Sequence, residues 1–131
     1  MAKKWRKDPN MHRAFKERRE MDCQRCQVCG NEIELTVHHL YAGANYPSLR
    51  ADIWNLVTLC QTCHTEYHRI FNNVYNHKMV NADTFIVWLY NNQYVCNCEG
   101  RMEENPRITK LVKEVIWRKS YLRKIAKQDE R

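Results

Sequence analysis

Read along the chain, apolar and polar residues change period several times, and each change marks an element. After Asp8-Pro9, the positions Met11, Ala14, Phe15 and Arg18 recur at helical spacing. This predicts a helix capped by Asp8, with Pro9 in its first turn and its end near Asp22. Ile33, Leu35 and Val37 then alternate with Glu34 and Thr36, a period of two that predicts a strand running into His38, His39 and Leu40. Gly43, Asn45 and Pro47 make residues 41–49 a loop. A short segment at 51–55 leads into a second strand, Leu56-Val57-Thr58-Leu59. From Cys63 to about Phe71 the pattern is helical and sets His64 and His68 on one face, and Asn72, Asn73 and Asn76 mark a break. A small helix is expected from Thr84 to about Tyr90, packing through Phe85, Val87, Trp88 and Leu89, and residues 91–104 read as loop. Asn105-Pro106 opens a long helix whose apolar stripe is Ile108, Leu111, Val112, Val115, Ile116 and Leu122. Its other face carries Lys110, Lys113, Arg118, Lys119, Arg123 and Lys124. No internal repeat or low-complexity tract interrupts this order.

Charge sharpens the picture. The net charge is +7, but residues 1–22 carry eight Lys/Arg against four acids and residues 101–131 carry ten against five. Residues 23–100 carry four against six, so two basic arms flank a slightly acidic centre. Neutralising phosphates releases condensed counterions, which makes a nucleic-acid backbone the natural anionic partner. A solvated charged surface is the plainer reading of the same residues. With 131 residues, 44% of them hydrophobic, one compact domain with extensions is expected. No apolar run follows Lys3, Lys4, Arg6 and Lys7, and no stretch approaches the roughly 18 apolar residues of a membrane span. A cytoplasmic protein without a membrane partner is the expectation, and the seven cysteines then read as thiols or metal ligands instead of disulfides.

Two Cys-x-x-Cys pairs, Cys26/Cys29 and Cys60/Cys63, are separated by thirty residues. Each pair can place two thiolates on one ion through a short knuckle, and two pairs complete a closed tetrahedral zinc site. Cys23 and Cys26 have the same spacing, so the first knuckle can be shifted; Gly30, directly after Cys29, favours Cys26/Cys29. Buried free thiols are the plain alternative. Cys96 and Cys98 read as ordinary loop cysteines, and His12 and His77 as ordinary surface or core residues.

Between and beside the cysteine pairs lie His38-His39, Asn55, His64 and His68. The runs Cys26-x-x-Cys29, Val37-His38-His39-Leu40, Asn55-Leu56-Val57-Thr58-Leu59-Cys60 and Cys63-His64 resemble the HNH family of nucleases over residues 23–72. The likeness implies an α+β chain: a small ββα-metal core stapled by a four-cysteine zinc site, with helical N- and C-terminal extensions at 1–22 and 73–131. It implies His39 as general base, Asn55 orienting His39 or its loop, and His38 and His64 holding one divalent cation against the scissile phosphate. Many relatives have Asp at the position of His38, which leaves the cation open among magnesium, manganese, nickel, cobalt and zinc. His68 is a further ligand or a helix-surface histidine, and Asn55 is alternatively a helix cap. The Asn-Leu-x-x-Leu-Cys-x-x-Cys-His run looks most like phage-borne and homing-type members, which would place the chain in an infected bacterial host.

The chemistry suits these residue types in its own right. Phosphodiester hydrolysis needs an in-line nucleophile, charge relief at phosphorus and help for the leaving alkoxide. Imidazole, with a reference pKa of about 6.5, is a competent base at neutral pH, and a cation relieves charge without a second protein acid. The arms would hold double-stranded DNA, with Lys4, Arg18, Arg19, Arg107, Lys110, Arg118 and Lys119 as phosphate contacts, the chain acting as a monomer or homodimer. Trp5 and Trp117 can stack on bases, core packing being the expected role of Trp117. Two other readings stand beside this one: a zinc-ribbon module that binds nucleic acid without cutting, and a zinc-stabilised protein-interaction domain, against which the basic arms count.

Overall fold

The computed structural model describes residues 4–71 and 79–130; the break at Asn72, Asn73 and Asn76, and His77, lie outside them. Helix α1 (Pro9–Met21) begins as its sequence dictates, with the Asp8 carboxylate accepting the Asn10 N–H at 2.9 Å and Pro9 in the first turn. Strands β1 (Leu35–His39) and β2 (Leu56–Cys60) pair antiparallel, Leu35 opposite Cys60 and His39 opposite Leu56. All five residues of β2 are buried, which makes it the strand around which the rest packs. Helix α2 (Gln61–Phe71) follows β2 directly and packs against both strands. Helix α3 (Ala82–Asn91) opens with a reciprocal Asn81–Thr84 capping box and lies against α4 (Pro106–Asp129), the long C-terminal helix.

The core joins the hairpin to the helices through Leu40, Leu49, Leu59, Tyr67, Phe85, Leu89, Ile108 and Leu122, all fully buried. The α+β arrangement expected from the pattern is present, with a strand–strand–helix unit at its centre. Several details depart from the pattern. Ile33 is 71% exposed, because Glu34 takes a φ of 53° and the strand starts only at Leu35. Residues 41–49 are the expected loop, but they pack into the core: Tyr41, Ala42, Tyr46 and Leu49 are buried, and Pro47–Leu49 form one 3-10 turn. Residues 91–104 contain a hairpin, β3 (Tyr94–Cys96) with β4 (Met102–Glu104), every residue of which is exposed. Val87 and Ile116 are half exposed, and Trp117 is 71% exposed, so none of the three is a core residue. No helix among the described residues is long and apolar enough to cross a membrane.

Two arginines read as phosphate contacts prove to be buried instead. Arg18, 3% exposed, pairs with Asp22 at 2.8 Å, and Asp22 also accepts the Thr58 N–H of β2 at 3.0 Å. Arg118, 1% exposed, donates to the Leu56 carbonyl at 3.1 Å and pairs with Glu114. Together they clamp α1 and α4 onto the central strand, and neither guanidinium is available to DNA. Removing one member of such a set leaves charge stranded in a poorly solvated place. Asp22→Ala should therefore cost about 3–5 kcal/mol in urea or thermal unfolding. A loss below about 1 kcal/mol would place the clamp among ordinary surface ion pairs.

Candidate functional site

The first knuckle is closed by the Gly30 N–H donating to the Cys26 carbonyl at 2.9 Å, with Gly30 at a φ of 79° that favours glycine. It brings Cys26 and Cys29 against Cys60, at the end of β2, and Cys63, in the first turn of α2. The four sulfurs lie within 4.8 Å of one another, and Cys29 and Cys60 are 3.7 Å apart. Tetrahedral ligation at a Zn–S length of about 2.3 Å requires sulfurs about 3.8 Å apart, so the cluster could hold zinc with little movement. The thiols cannot all ionise unaided: the Cys63 hydrogen bond brings Cys26 down to about 4, and the same contact pushes Cys63 up. A bound cation removes that conflict. Cys23 is exposed and lies outside the cluster, as do the exposed Cys96 and Cys98.

A second cluster forms where the end of β1 meets α2. Ring nitrogens of His38, His64 and His68 lie within 4.8 Å of one another. His64 and His68 sit one helical turn apart, and their Nε2 atoms are 3.0 Å apart. His38 is 1% exposed, stacked on Phe85 at 5.0 Å and edged by Tyr67, and neither of its ring nitrogens has a hydrogen-bond partner. A buried imidazole left so costs about 1–3 kcal/mol, a cost that a metal ion would offset. Burial, then the charges of His64 and His68, hold the His38 pKa well below its usual value, and burial brings His64 down to about 4. His38 and His64 are thus held in the neutral form that ligates metals.

Thr36 fixes the tautomer of His64. Its hydroxyl donates to the Leu59 carbonyl at 2.9 Å, so its oxygen accepts the His64 Nδ1–H at 2.8 Å. That leaves the His64 Nε2 lone pair facing the cluster, the arrangement by which outer partners orient metal-binding imidazoles. The donor set, three clustered imidazoles with both ring nitrogens of His38 unpartnered, fits a divalent transition metal.

His39 lines the same cleft of about 380 Å³, together with Trp5, Arg6, His12, Phe15 and Gly43. Its Nε2–H donates to the Arg50 carbonyl at 3.0 Å, which assigns the proton to Nε2 and leaves the lone pair on Nδ1. Phe15 and Trp5 present edge-on contacts to the ring at 5.4 and 6.2 Å. Burial, together with the cations of Arg50 and Arg6, depresses its pKa, although the Arg50 carbonyl opposes them. Gly43 makes the packing possible: a Cβ there would lie 2.8 Å from Trp5 and 3.4 Å from the His39 ring. Arg50 completes the support, donating to the Gly43 carbonyl at 2.6 Å with its guanidinium 4.5 Å above Trp5. Asn55, fully buried, accepts the Tyr41 N–H at 2.8 Å and donates to the Tyr41 and Leu49 carbonyls. Its hydrogen bonds clamp the loop after His39, and all three run to backbone atoms instead of to the His39 ring.

Arg6, Thr36, Gly43 and Arg50 were not singled out from the sequence as parts of the site, and Trp5 only as a residue that can stack on bases. The spacing of Thr36 two residues before His38, on the predicted strand, was the one available signal. Of the remaining basic residues, Lys4, Arg107 and Lys110 are exposed and Arg19 is half-buried. Lys119 pairs with Asp83, and Arg107 lies over Gly30 at the first knuckle.

The family model described as HNH endonuclease matches residues 23–69, the span that holds both clusters. The chain is also similar to a protein named Anaredoxin from a Nostoc species, 38% identical over 65 residues, which are 48% of this chain and 83% of that relative. No solved structure gives a significant match.

Two outcomes are expected from these clusters. Cys60→Ser should abolish both the bound metal of the sulfur cluster and the folded state, because removing a ligand of a closed site removes folding free energy. Soluble, folded, metal-free Cys60→Ser protein would contradict this. Thr36→Val should weaken a cation at the histidine cluster by about 10–100-fold while the sulfur cluster keeps its metal. Unchanged affinity in a cobalt(II) titration would show that Thr36 does not orient His64.

Proposed function

Because this chain belongs to the HNH endonuclease family, we propose that it is a metal-dependent endonuclease hydrolysing phosphodiester bonds of double-stranded DNA. The observation that carries the reading is the convergence, in one cleft, of the imidazoles of His38, His64 and His68, with both ring nitrogens of His38 unpartnered and His39 beside them. In this reading residues 23–72 are the nuclease core, and residues 1–22 and 73–131 are extensions that grip DNA. Zinc in the four-cysteine cluster holds the fold.

His39 Nδ1 accepts the proton of the attacking water. The Arg50 carbonyl keeps that nitrogen unprotonated by holding the other tautomeric proton, and Trp5 and Phe15 fix the ring plane. Asn55 holds the two ends of the loop from Tyr41 to Leu49, which joins His39 to Arg50, so it is a positioning residue. His38, His64 and His68 would hold the catalytic cation, which when bound relieves charge on the phosphate and its leaving oxygen. An all-imidazole set favours manganese, nickel, cobalt or zinc over magnesium. Arg6 is the one permanent cation among the described residues lining the cleft, and it receives a phosphate oxygen of the substrate. Lys4, Arg19, Arg107, Lys110 and Lys119 are the wider phosphate contacts. A phage-borne or homing-type role, in a monomer or homodimer, completes the proposal and is supported by the run from Asn55 to His64.

On supercoiled plasmid with a series of divalent cations, the protein should nick or linearise the DNA. His39→Ala should reduce the rate by at least about 100-fold, the size of a lost general base, with metal content and unfolding midpoint unchanged. Protein that binds DNA yet leaves the plasmid intact with every cation would overturn the reading in favour of a binding module.

A further inference from the structure

Trp117 has no role in the core or in the cleft, yet it is a large indole 71% exposed on the polar side of α4. It stands edge-on to Trp54, ring centroids 5.9 Å apart at 72°, and the two line adjoining clefts of about 360 and 580 Å³. Trp117 is therefore a blade with open space on both sides.

The surroundings of the blade are built and fixed. Trp54 is held by its N–H donating to Asp52 at 3.0 Å, and the buried Arg118 guanidinium lies 5.7 Å from its ring. Tyr121, on the far wall, donates its hydroxyl to the same Asp52 carboxylate at 2.6 Å. Met21 closes the other cleft. The rim is basic: Lys110 and Lys113 line the larger cleft at i and i+3, with Trp117 at i+7 on the same helix face. Both lysines are exposed, and among the described residues no ion pair engages either. The acids of that cleft, Asp22 and Glu114, are already paired with Arg18 and Arg118.

An aromatic blade flanked by free ammonium groups matches the two faces of one ligand, the π-face of a base and the phosphate beside it. A protein partner would need a carboxylate placed against each lysine, whereas a nucleic-acid strand carries a phosphate beside every base. Helix α1 ties this groove to the cleft: Met11, His12 and Phe15 line the cleft, and Arg18, Met21 and Asp22 line the groove. Six residues of helix from Phe15 to Met21 cover about 9 Å, so one strand can reach both. We propose that the Trp54–Trp117 groove is a second nucleic-acid site, which stacks an unpaired base on Trp117 and seats the neighbouring phosphate on Lys110 and Lys113.

As a site for a strand displaced near the cut, the groove rests on the nuclease reading; as a binding site it can be measured without cleavage. The test titrates dye-labelled oligothymidylate and a blunt duplex of equal length into zinc-loaded His39→Ala protein by fluorescence anisotropy. Adding Trp117→Ala should raise the oligothymidylate Kd about tenfold, the size of one lost base stack, and move the duplex Kd less than twofold. Trp117→Phe should restore most of the affinity, and Lys113→Ala should lower the slope of log affinity against log salt by about one. Unchanged oligothymidylate affinity in Trp117→Ala overturns the proposal. A dimer in sedimentation that Trp117→Ala converts to monomer, with oligothymidylate affinity unaltered, also overturns it by making the groove a contact between copies. Wild-type protein that cuts nothing but loses oligothymidylate with Trp117→Ala would keep the groove and remove the nuclease. Protein that cuts and is indifferent to Trp117 would do the reverse.

Discussion

The pairing of β1 with β2 is the constraint on which both metal clusters depend. Its register places Leu35 opposite Cys60 and His39 opposite Leu56, so the sulfur cluster gathers at one end of the hairpin and the histidines at the other. Helix α2 starts at Gln61 with no loop, and this short connection carries Cys63 into the first cluster and His64 and His68 toward the second. A slip of one residue in this pairing would turn His38 away from α2 and separate the thiols. The sulfur cluster in turn holds the register, because its two knuckles grip the chain before β1 and after β2. The two clusters use opposite chemistry: four thiols that need a cation to share charge, and a group of imidazoles of which burial keeps His38 and His64 neutral.

Substantial parts of this were legible in the sequence. Cysteine spacing and the positions of His38, His39 and His64 describe local geometry, and local geometry is what a sequence carries most directly. The ends of α1 and α4 were equally plain, since Asp8-Pro9 and Asn105-Pro106 are capping signals that act within one turn. Partner choice across the fold was not legible. Arg18 and Arg118 stand at the spacing of their helices' buried faces but carry the chemistry of phosphate contacts, and only tertiary packing reveals that Asp22, Glu114 and two backbone carbonyls take them up. Trp117 failed in the other direction, because an indole next to an apolar stripe reads as core until the helix is rotated into place. The β3–β4 hairpin was invisible because no residue in it is buried, so it carries no hydrophobic alternation.

The histidine cluster shows what supports a site beyond its own residues. Thr36 and Arg50 each use one hydrogen bond to settle a tautomer, one aiming Nε2 of His64 at the cluster and the other freeing Nδ1 of His39. These are small interactions with a large consequence, since a wrong tautomer would present a proton where a lone pair is needed. Asn55 acts at one further remove, fixing the backbone on both sides of the loop between Tyr41 and Leu49. Gly43 contributes only by lacking a side chain, which lets Trp5 reach the ring of His39. Fold and chemistry meet in these four residues.

The central claim is that the chain holds two separate ions in two different donor sets. X-ray absorption fine structure tests it most directly, on protein carrying zinc in its tight site and cobalt(II) added as the second ion. The zinc edge should show four sulfur scatterers at about 2.3 Å, and the cobalt edge only nitrogen and oxygen scatterers near the imidazole distance of about 2.0–2.1 Å. Sulfur at the cobalt edge, nitrogen at the zinc edge, or a single ion bound per chain would contradict the account.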